Sequence, residues 1–225
     1  NRSRDYHMTD YNDEVSLEDS LIDSMADTAI TDLSADLAEL GLDSLLEEGP
    51  IKDIPILGWL IKFGKAGAFV KERFFRKKVI QFLIALHKIP NDERKKFLEN
   101  LNKDRASKKK HVEEVLVLLE RLDFIEKIDF LAKAFSLYIQ GKINWIRFRE
   151  FAVVIERCFI GDFTNLVTGN VSSPEVDSSV AVRLSACGLM EIQQMPSIPR
   201  PDVRNLYSFT QLGNDIRELI FACKT

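Results

Sequence analysis

IKDIPILGWLIKFGKAGAFVKERFFRKKVIQFLIALHKI, residues 51–89, combines apolar residues and positive charge on the same helical turns. Its apolar residues recur at spacings of three and four, which predicts an amphipathic helix, and Pro55 suits the first turn of such a helix. From residue 51 to residue 78 the stretch holds eight Lys and Arg residues against two acidic ones, a local charge of +6. The pattern therefore predicts a basic amphipathic helix around which the rest of the chain is arranged.

This basic helix admits two interpretations. Cations on one side and Trp, Phe and Leu on the other are what shallow insertion into an anionic membrane surface requires. A core helix with a solvated basic face has the same pattern. We expect the helix to contact either a partner protein or an anionic membrane surface. A bilayer crossing is disfavoured, since Lys62 and Lys65 would lie deep in hydrocarbon. The expected contact residues are Trp59, Lys62, Phe63, Lys65, Arg73, Arg76, Lys77 and Lys78.

The composition predicts a mostly α-helical globular protein. The chain has 225 residues, of which 45% are hydrophobic and 29% charged, enough for one large domain or two small ones. It holds only ten glycines and seven prolines and lacks the long strand-like runs of a β protein. The three cysteines, Cys158, Cys187 and Cys223, are far apart on apolar patterns, which predicts buried thiols in a reducing compartment.

Negative charge is concentrated before the basic helix. Residues 1–50 hold fourteen acidic and two basic groups, a balance of −12, whereas residues 51–225 carry +8. We expect residues 17–50 to form an acidic helical arm that packs on the basic helix and masks it. Residues 1–16 are predicted to be a disordered acidic tail, and Met8 is typical of a natural start, so that residues 1–7 precede it as an addition. No apolar targeting run opens the chain, and we expect a cytoplasmic location or a peripheral one at the inner membrane.

A short motif lies within the acidic arm. ELGLDSLL, residues 39–46, resembles the attachment motif of acyl carrier proteins, LGxDSL, with Ser44 at the position of the modified serine. The resemblance covers six residues and implies an acyl-carrier-like function. A helix start at Asp43 or Ser44 explains the same residues locally, and Gly49 with Pro50 ends any helix that follows. Acyl carriage is therefore the third function that we consider.

Residues 51–160 are predicted to form a helical bundle. Three strongly periodic helices follow residue 111, with Phe124 on the apolar stripe of the second and Phe159 on that of the third. Asp123 with Glu126 has the spacing of a capping box. Gly141 and Asn144 are typical of a helix end and a helix start. The string from residue 122 to residue 158 is similar to uncharacterised helical families of bacteria, which implies a bacterial source and brings no catalytic motif.

The last sixty-five residues differ from the bundle in pattern. A helix ending at Gly188 runs into an apolar strand at residues 189–195, followed by a proline-rich loop at 196–204, a second strand at 206–210 and a closing helix. This order resembles a winged-helix module, so we expect a small winged-helix-like domain at residues 161–225. The resemblance implies DNA binding by a transcriptional regulator as the alternative function, through Arg183, Arg200 and Arg204. This region holds five basic and seven acidic groups, and a net negative charge disfavours binding to the phosphate backbone of DNA.

No pattern in the chain predicts catalysis. The histidines His7, His87 and His111 are far apart, and no HExxH or paired CxxC motif is present. GWLIKFGKA, residues 58–66, lacks the spacing and the hydroxyl of a phosphate-binding loop. We therefore expect a protein that is not an enzyme, with no metal, no cofactor and no small-molecule substrate, whose function is interaction.

Overall fold

The computed structural model describes residues 15–27, residue 30, and residues 53–63, 69–103, 105–167, 178–193 and 206–221. Within these ranges the chain is mostly helical with a small two-stranded antiparallel sheet, so the expected helical character is confirmed. The elements are α1 Leu17–Ala26, α2 Pro55–Phe63, α3 Phe69–His87, α4 Asn91–Lys103, α5 Arg105–Arg121, α6 Glu126–Ile139, α7 Trp145–Arg157, α8 Ile160–Val167, α9 Ser178–Ala186, β1 Met190–Gln193, β2 Leu206–Phe209 and α10 Gln211–Phe221.

The basic stretch contains two helices, α2 and α3. Pro55 begins α2 as predicted, and residues 64–68 between the helices lie outside the described residues. Ile56 and Leu57 are fully buried, as are Phe82 and Leu83 in the second half of α3. Most of the apolar face therefore belongs to the interior. None of the helices in the described ranges has both the length and the apolar character that crossing a bilayer requires.

Helix α6 lies at the centre of the bundle. It packs on α3 and α7, with α4 and α10 as further neighbours. Phe135 is fully buried on α6, and its ring centroid lies 5.7 Å from that of Phe82, 6.0 Å from that of Phe97 and 5.4 Å from that of Phe148. Tilted and edge-on contacts at such distances are the favoured arrangement of aromatic rings. This interior fixes the positions of α3, α4 and α7 around α6.

Two local signals of the bundle are confirmed. Gly141 has a φ of +69°, the left-handed conformation that glycine adopts most readily at a helix end. Asn144 caps α7, and its side-chain oxygen accepts a hydrogen bond from the Arg147 amide at 2.9 Å. The end of α6 and the start of α7 were therefore each predictable from a single residue.

The predicted capping box at the start of α6 is wrong. Helix α6 begins at Glu126 and has no side-chain cap, because the Asp123 carboxylate instead binds the Nζ atom of buried Lys127 at 2.9 Å. Phe124 and Phe159, expected on apolar stripes, lie just outside α6 and α7 and are 44% and 59% exposed. A buried ammonium group requires a carboxylate partner, and this requirement overrides the local capping pattern.

The described part of the acidic arm belongs to the core. Leu21 and Met25 of α1 are buried, and the Ser24 hydroxyl oxygen accepts a hydrogen bond from the Ile56 amide at 3.0 Å. Helix α1 packs on α2, α4 and α5, and the Asp19 carboxylate binds the Nζ atom of Lys109 at 2.9 Å. Of the predicted tail at residues 1–16, residues 1–14 lie outside the described residues, and Ser16 caps α1. Residues 31–50 with Ser44 also lie outside the described residues.

The C-terminal elements form a helix, two strands and a helix. Strands β1 and β2 are antiparallel, with Met190 opposite Phe209. Gly188 ends the turn after α9 with a φ of +76°. Gly213 of α10 lies against β1, and a Cβ atom added there would lie 2.2 Å from the Leu189 carbonyl oxygen. Only glycine permits this approach of α10 to the backbone that leads into β1.

Candidate functional site

The outer face of α3 carries an exposed aromatic ring among cations. Phe74 is 57% exposed, and the Nζ atom of Lys77 lies 5.6 Å from the centroid of its ring. Lys71, one turn earlier, is also exposed. An exposed ring beside a cation retains apolar area that a partner can cover. This part of α3 is therefore the starting point for a candidate site.

A groove runs beside Phe74 between α1, α3 and α5. Its volume is about 720 Å³, and we call it the α3–α5 groove. Helix α1 contributes its first turn, α3 one side and α5 the other. Its lining residues are Leu17, Glu18, Lys71, Glu72, Phe74, Phe75, Lys78, Glu113, Leu116, Val117 and Glu120. The groove therefore combines an apolar surface with a charged rim.

Acidic residues outnumber basic ones around the α3–α5 groove. Its lining contains two lysines and four glutamates, a balance of −2. The Nζ atom of Lys78 donates a hydrogen bond to the Glu120 carbonyl oxygen at 2.9 Å. Burial lowers the pKa of Lys78, and the negative charges of Glu120 and Asp123 act in the opposite direction. The charged residues that α1 and α5 contribute to the groove lining are thus all acidic: Glu18, Glu113 and Glu120.

Trp59 is held against the N-terminal segment. It is half-buried against the core, and its indole Nε1 donates a hydrogen bond to the Val15 carbonyl oxygen at 2.9 Å. Lys62 is exposed near the end of α2, whereas the side chain of Phe63 and the whole of Lys65 lie outside the described residues. Trp59 therefore serves the packing of the segment that leads into α1.

The four predicted cations of α3 are together on one helix. Arg73, Arg76, Lys77 and Lys78 are all half-buried, and Arg76 forms an ion pair with Glu72. Side chains of this length cover apolar surface with their stems while the charged ends reach water. Of these four cations, Lys78 lines the α3–α5 groove, and Lys77 lies beside the exposed Phe74 ring.

A second groove lies on the other side of α5, against α7. This α5–α7 groove has a volume of about 480 Å³ and shares Glu113 and Val117 with the first. Ion pairs join its two walls, with the Nε atom of Arg149 3.2 Å from Glu114 and the Nη2 atom of Arg121 2.5 Å from Glu156. Four of its charged groups therefore already have partners across the gap.

Two groove residues were missed by the sequence interpretation. Val117 is 45% exposed in the run Val-Leu-Val-Leu-Leu at residues 115–119, and Phe74 is exposed beside half-buried Phe75. A helix with 3.6 residues per turn cannot direct five consecutive apolar residues to one side. In each run, one apolar residue more than the buried face can hold indicated that an apolar side chain would be exposed.

Of the three arginines expected to contact DNA, one lies within the described residues and two lie outside them. Arg183 of α9 donates two hydrogen bonds to the Asp162 carboxylate, one of them from Nη2 at 2.8 Å. The Asp162 side chain is 5% exposed, so this pair joins α9 to α8. Arg200 and Arg204 lie outside the described residues. The Arg183 guanidinium group is thus engaged within the protein.

The two described histidines, His87 and His111, make contacts within the folded chain. The Nε2 atom of His87 lies 2.8 Å from the Asp27 carbonyl oxygen and its Nδ1 atom 3.0 Å from that of Leu83. His111 stacks on Trp145 with ring centroids 3.8 Å apart and hydrogen-bonds the Tyr138 hydroxyl at 2.9 Å. Among the described residues no group of three or more His, Cys, Asp and Glu side chains is arranged to hold a metal ion.

Comparison of the chain with protein-family models, with curated proteins and with solved structures finds no match.

Proposed function

We propose that this chain is a non-enzymatic interaction protein that binds an amphipathic helix of a partner protein in the α3–α5 groove. The observation that carries the proposal is the exposure of Phe74 beside Val117 at a groove between packed helices. Apolar residues that a folded helix leaves outside, next to a concave surface, are typical of a docking site. Helix-in-groove binding uses such a surface.

The apolar lining defines one face of the expected partner. Leu17, Phe75 and Leu116 lie in the groove together with the exposed rings and methyl groups of Phe74 and Val117. These side chains come from three helices that the buried core holds together. A partner helix with apolar residues at spacings of three and four would insert them here, and a preformed wall limits the entropy lost on binding.

The charged rim defines the other property of the partner. Four glutamates against two lysines favour a partner with Lys or Arg beside its apolar residues. The same balance is unfavourable for an anionic membrane surface, which attracts cations and repels carboxylates. Engagement of the Trp59 indole with Val15 removes a side chain that membrane insertion would use. We therefore favour a basic amphipathic helix over a lipid surface.

We propose that α1, the described helix of the acidic arm, contributes to the docking site. Masking of the basic helix by residues 17–50 stays a prediction. Leu17 and Glu18 of α1 line the groove, whereas Leu21 and Met25 enter the core. Helix α1 thus supplies one side of the docking site. Deletion of the whole arm would remove core side chains as well, so single substitutions in the groove test the proposal more cleanly.

Photo-crosslinking in the source cells tests the proposal. A benzophenone amino acid replaces Phe74 or Val117 in the full chain, and Ile146, which is 70% exposed on α7, serves as the matched control position. We expect the same partner to crosslink from positions 74 and 117 and not from position 146. In the identified partner, the crosslinked segment should be a basic amphipathic helix. Binding measured by titration should weaken at least about fivefold for Phe74→Ser, since truncation of a central aromatic residue commonly costs over about 1 kcal/mol.

Three outcomes would contradict the proposal that a basic amphipathic helix binds in the α3–α5 groove. Equal crosslinking from all three positions would mean nonspecific contact. An acidic or purely polar crosslinked segment would contradict the expected partner chemistry. Binding to phosphatidylglycerol vesicles that is lost in Lys71→Glu and Lys77→Glu would replace the protein partner with a membrane surface.

For the C-terminal elements, we propose a winged-helix-like docking module. The order of α9, β1, β2 and α10, with turns at Gly188 and Thr210, supports this proposal. DNA binding stays the alternative function, and it requires a steep fall of affinity with salt that Arg200→Gln and Arg204→Gln reduce. Acyl carriage at Ser44 is tested by intact mass after treatment with a phosphopantetheinyl transferase.

A further inference from the structure

The outer face of α7 exposes two apolar residues that are two helical turns apart. Ile146 is 70% exposed, the largest fraction among the large apolar side chains that the structure describes, and Val153 is 42% exposed. Residues seven apart lie on one side of a helix, because a turn contains 3.6 residues. The other side of α7, with Phe148, Phe151 and Ile155, is buried in the core. The described part of the chain therefore leaves this apolar area of α7 open to solvent.

Two opposite charges lie between these apolar residues. Arg149 and Glu150 are both exposed, and they follow Ile146 by three and four residues, so they share its side of the helix. We call Ile146, Arg149, Glu150 and Val153 the α7 stripe. Along the helix the stripe is apolar, positive, negative and apolar. A copy that runs in the reverse direction therefore offers an apolar residue to each apolar residue and an opposite charge to each charge.

The α7 stripe is thus complementary to itself in an antiparallel arrangement. A two-fold axis between Arg149 and Glu150 places Ile146 of one copy opposite Val153 of the other. The same axis places each Arg149 opposite the Glu150 carboxylate of the second copy, which gives two ion pairs. A parallel arrangement would instead oppose like charges. The order of the stripe therefore favours a second copy in the antiparallel direction.

The ion pairs that these side chains form within one chain are compatible with this arrangement. The Nε atom of Arg149 lies 3.2 Å from Glu114, and the Glu150 carboxylate accepts a hydrogen bond from Arg147 at 2.6 Å. Both pairs lie at the surface, where such pairs contribute little to stability. A guanidinium group has five N–H donors, and a carboxylate accepts several hydrogen bonds. Arg149 and Glu150 can therefore each add a partner across the axis.

The α5–α7 groove beside the stripe provides space for the second copy. Val153 belongs to both, and the apolar lining of the groove also includes Val117, Leu118 and Ala152. Its charged lining residues are three basic and three acidic, a balance of zero. A surface that faces its own copy is repelled when it carries net charge, and the α3–α5 groove carries −2. The balance of zero thus favours self-association on the α5–α7 side.

We propose that two copies of this chain associate about a two-fold axis through the α7 stripe, with Ile146 of each copy at the mouth of the other copy's α5–α7 groove. The partner is a second copy of this chain, and the proposal does not rest on the helix-binding function of the α3–α5 groove.

Sedimentation equilibrium of the full chain measures the association. The average mass should rise from one copy toward two as the concentration is raised to about 0.5 mM, since an interface centred on one helix belongs to the small and weak class. Ile146→Asp should weaken association at least about tenfold, because it puts a carboxylate opposite Val153 of the second copy. Val182→Asp is the matched control: Val182 is 55% exposed on α9, and the variant should associate like the parent chain.

Charge exchange tests the antiparallel direction. Arg149→Glu and Glu150→Arg should each weaken association, because each puts like charges opposite one another at two places across the axis. The double variant restores opposite charges at both places and should recover association. Circular dichroism and chemical denaturation establish that the variants remain folded.

Photo-crosslinking locates the contact between the copies. A benzophenone amino acid at position 146, in a mixture of isotope-labelled and unlabelled chains, should give crosslinked pairs with one chain of each kind. Trypsin cleaves after Arg149 and Arg157, and the peptide captured from the second copy should be residues 150–157, which contain Val153. The mass of this product distinguishes it from the crosslink to a partner protein that is expected from positions 74 and 117.

The proposal is overturned if the mass stays that of one copy up to the highest concentration. It is equally overturned if Ile146→Asp and Val182→Asp weaken association by the same factor, or if the double charge exchange does not recover it. Phe74→Ser distinguishes this proposal from the helix-binding function, since it should weaken binding of the partner helix and leave self-association unchanged. Loss of self-association in Phe74→Ser would assign the contact between copies to the α3–α5 groove instead.

Discussion

The two ends of the chain attach to the bundle of α2–α7 in different ways. At the N-terminal end, Leu21 and Met25 of α1 insert into the core, and the Ser24 hydroxyl and the Val15 carbonyl accept hydrogen bonds from α2. Most of this attachment is apolar burial, together with hydrogen bonds that involve the backbone. Lys109 of α5 adds ion pairs with Glu18 and Asp19 of α1 to this attachment.

At the C-terminal end, two Arg–Asp ion pairs accompany apolar packing. Arg147 of α7 pairs with Asp215 of α10, and Arg183 pairs with the buried carboxylate of Asp162. Apolar packing is present as well, with the Phe130 and Phe163 rings edge-on at 4.8 Å. The comparison teaches that a count of charges along the sequence does not predict where charge holds the fold together. The most acidic segment pairs with Lys109 of the bundle, whereas the nearly neutral one pairs with Arg147 and holds a buried carboxylate, Asp162.

The largest expected effect tests the apolar attachment of α1. Leu21→Ala should lower the free energy of unfolding by about 2–5 kcal/mol, because a fully buried leucine leaves a cavity. Chemical denaturation followed by circular dichroism measures the change. Val15→Ala is the control, since Val15 is 55% exposed and its carbonyl is retained. A loss in Leu21→Ala no larger than in the control would mean that α1 is not part of the core.

The next effect tests the close approach of α10 to the start of β1. Gly213→Ala should cost about 1–3 kcal/mol, because the new methyl group would overlap the Leu189 carbonyl oxygen. Gly161→Ala is the control: its methyl group would meet only the exposed ring of Phe159, which can move. Thermal unfolding of both variants gives the comparison, and equal melting temperatures would contradict this packing.

A smaller effect tests the ion pairs of the C-terminal end. Arg183→Met leaves the Asp162 carboxylate buried without its bidentate partner, and we expect a loss of about 1–2 kcal/mol, reduced by the partial exposure of Arg183. Asp162→Asn together with Arg183→Met should recover part of it. Arg149→Met, which breaks an exposed pair with Glu114, is the control and should change stability by less than about 0.5 kcal/mol. Equal losses in Arg183→Met and the control would show that burial of Asp162 adds nothing.

The smallest expected effect concerns pH at the contact between α1 and α3. Burial lowers the pKa of His87 below its usual 6.5, although hydrogen bonds to the Leu83 and Asp27 carbonyl groups act in the opposite direction. The unfolded chain therefore binds a proton more readily than the folded one. This contribution to stability is complete above pH 6.5 and is lost as the pH falls through 6.5 toward the lower folded value.

Denaturation at a series of pH values measures this dependence. In His87→Gln the slope of stability against pH just below 6.5 should be smaller than in the parent chain. An unchanged slope in His87→Gln would assign the acid sensitivity to other groups.

Features that depend on neighbours in the sequence were predictable. Pro55 at a helix start, Gly141 at a helix end and Asn144 as a cap each follow from the preferences of one residue for one backbone position. The mostly helical fold follows from apolar residues at spacings of three and four. These signals do not depend on contacts with residues distant in the sequence.

Features that depend on residues distant in sequence were not predictable. The capping box failed because Lys127 is buried by other helices and takes the Asp123 carboxylate. The charge around the α3–α5 groove is negative because Glu18, Glu113 and Glu120 come from helices other than α3. Each of these contacts exists only once the helices have packed.

The two tryptophans of the chain have different neighbours, which makes them separate optical reporters. The Trp59 indole donates to the Val15 carbonyl and would shift its emission to longer wavelength if the amino-terminal segment came away and water took that place. Trp145 stacks on His111 at 3.8 Å, and an imidazolium in that position quenches indole fluorescence. With Trp145→Phe, emission from Trp59 alone follows detachment of the leading helix, without any added label.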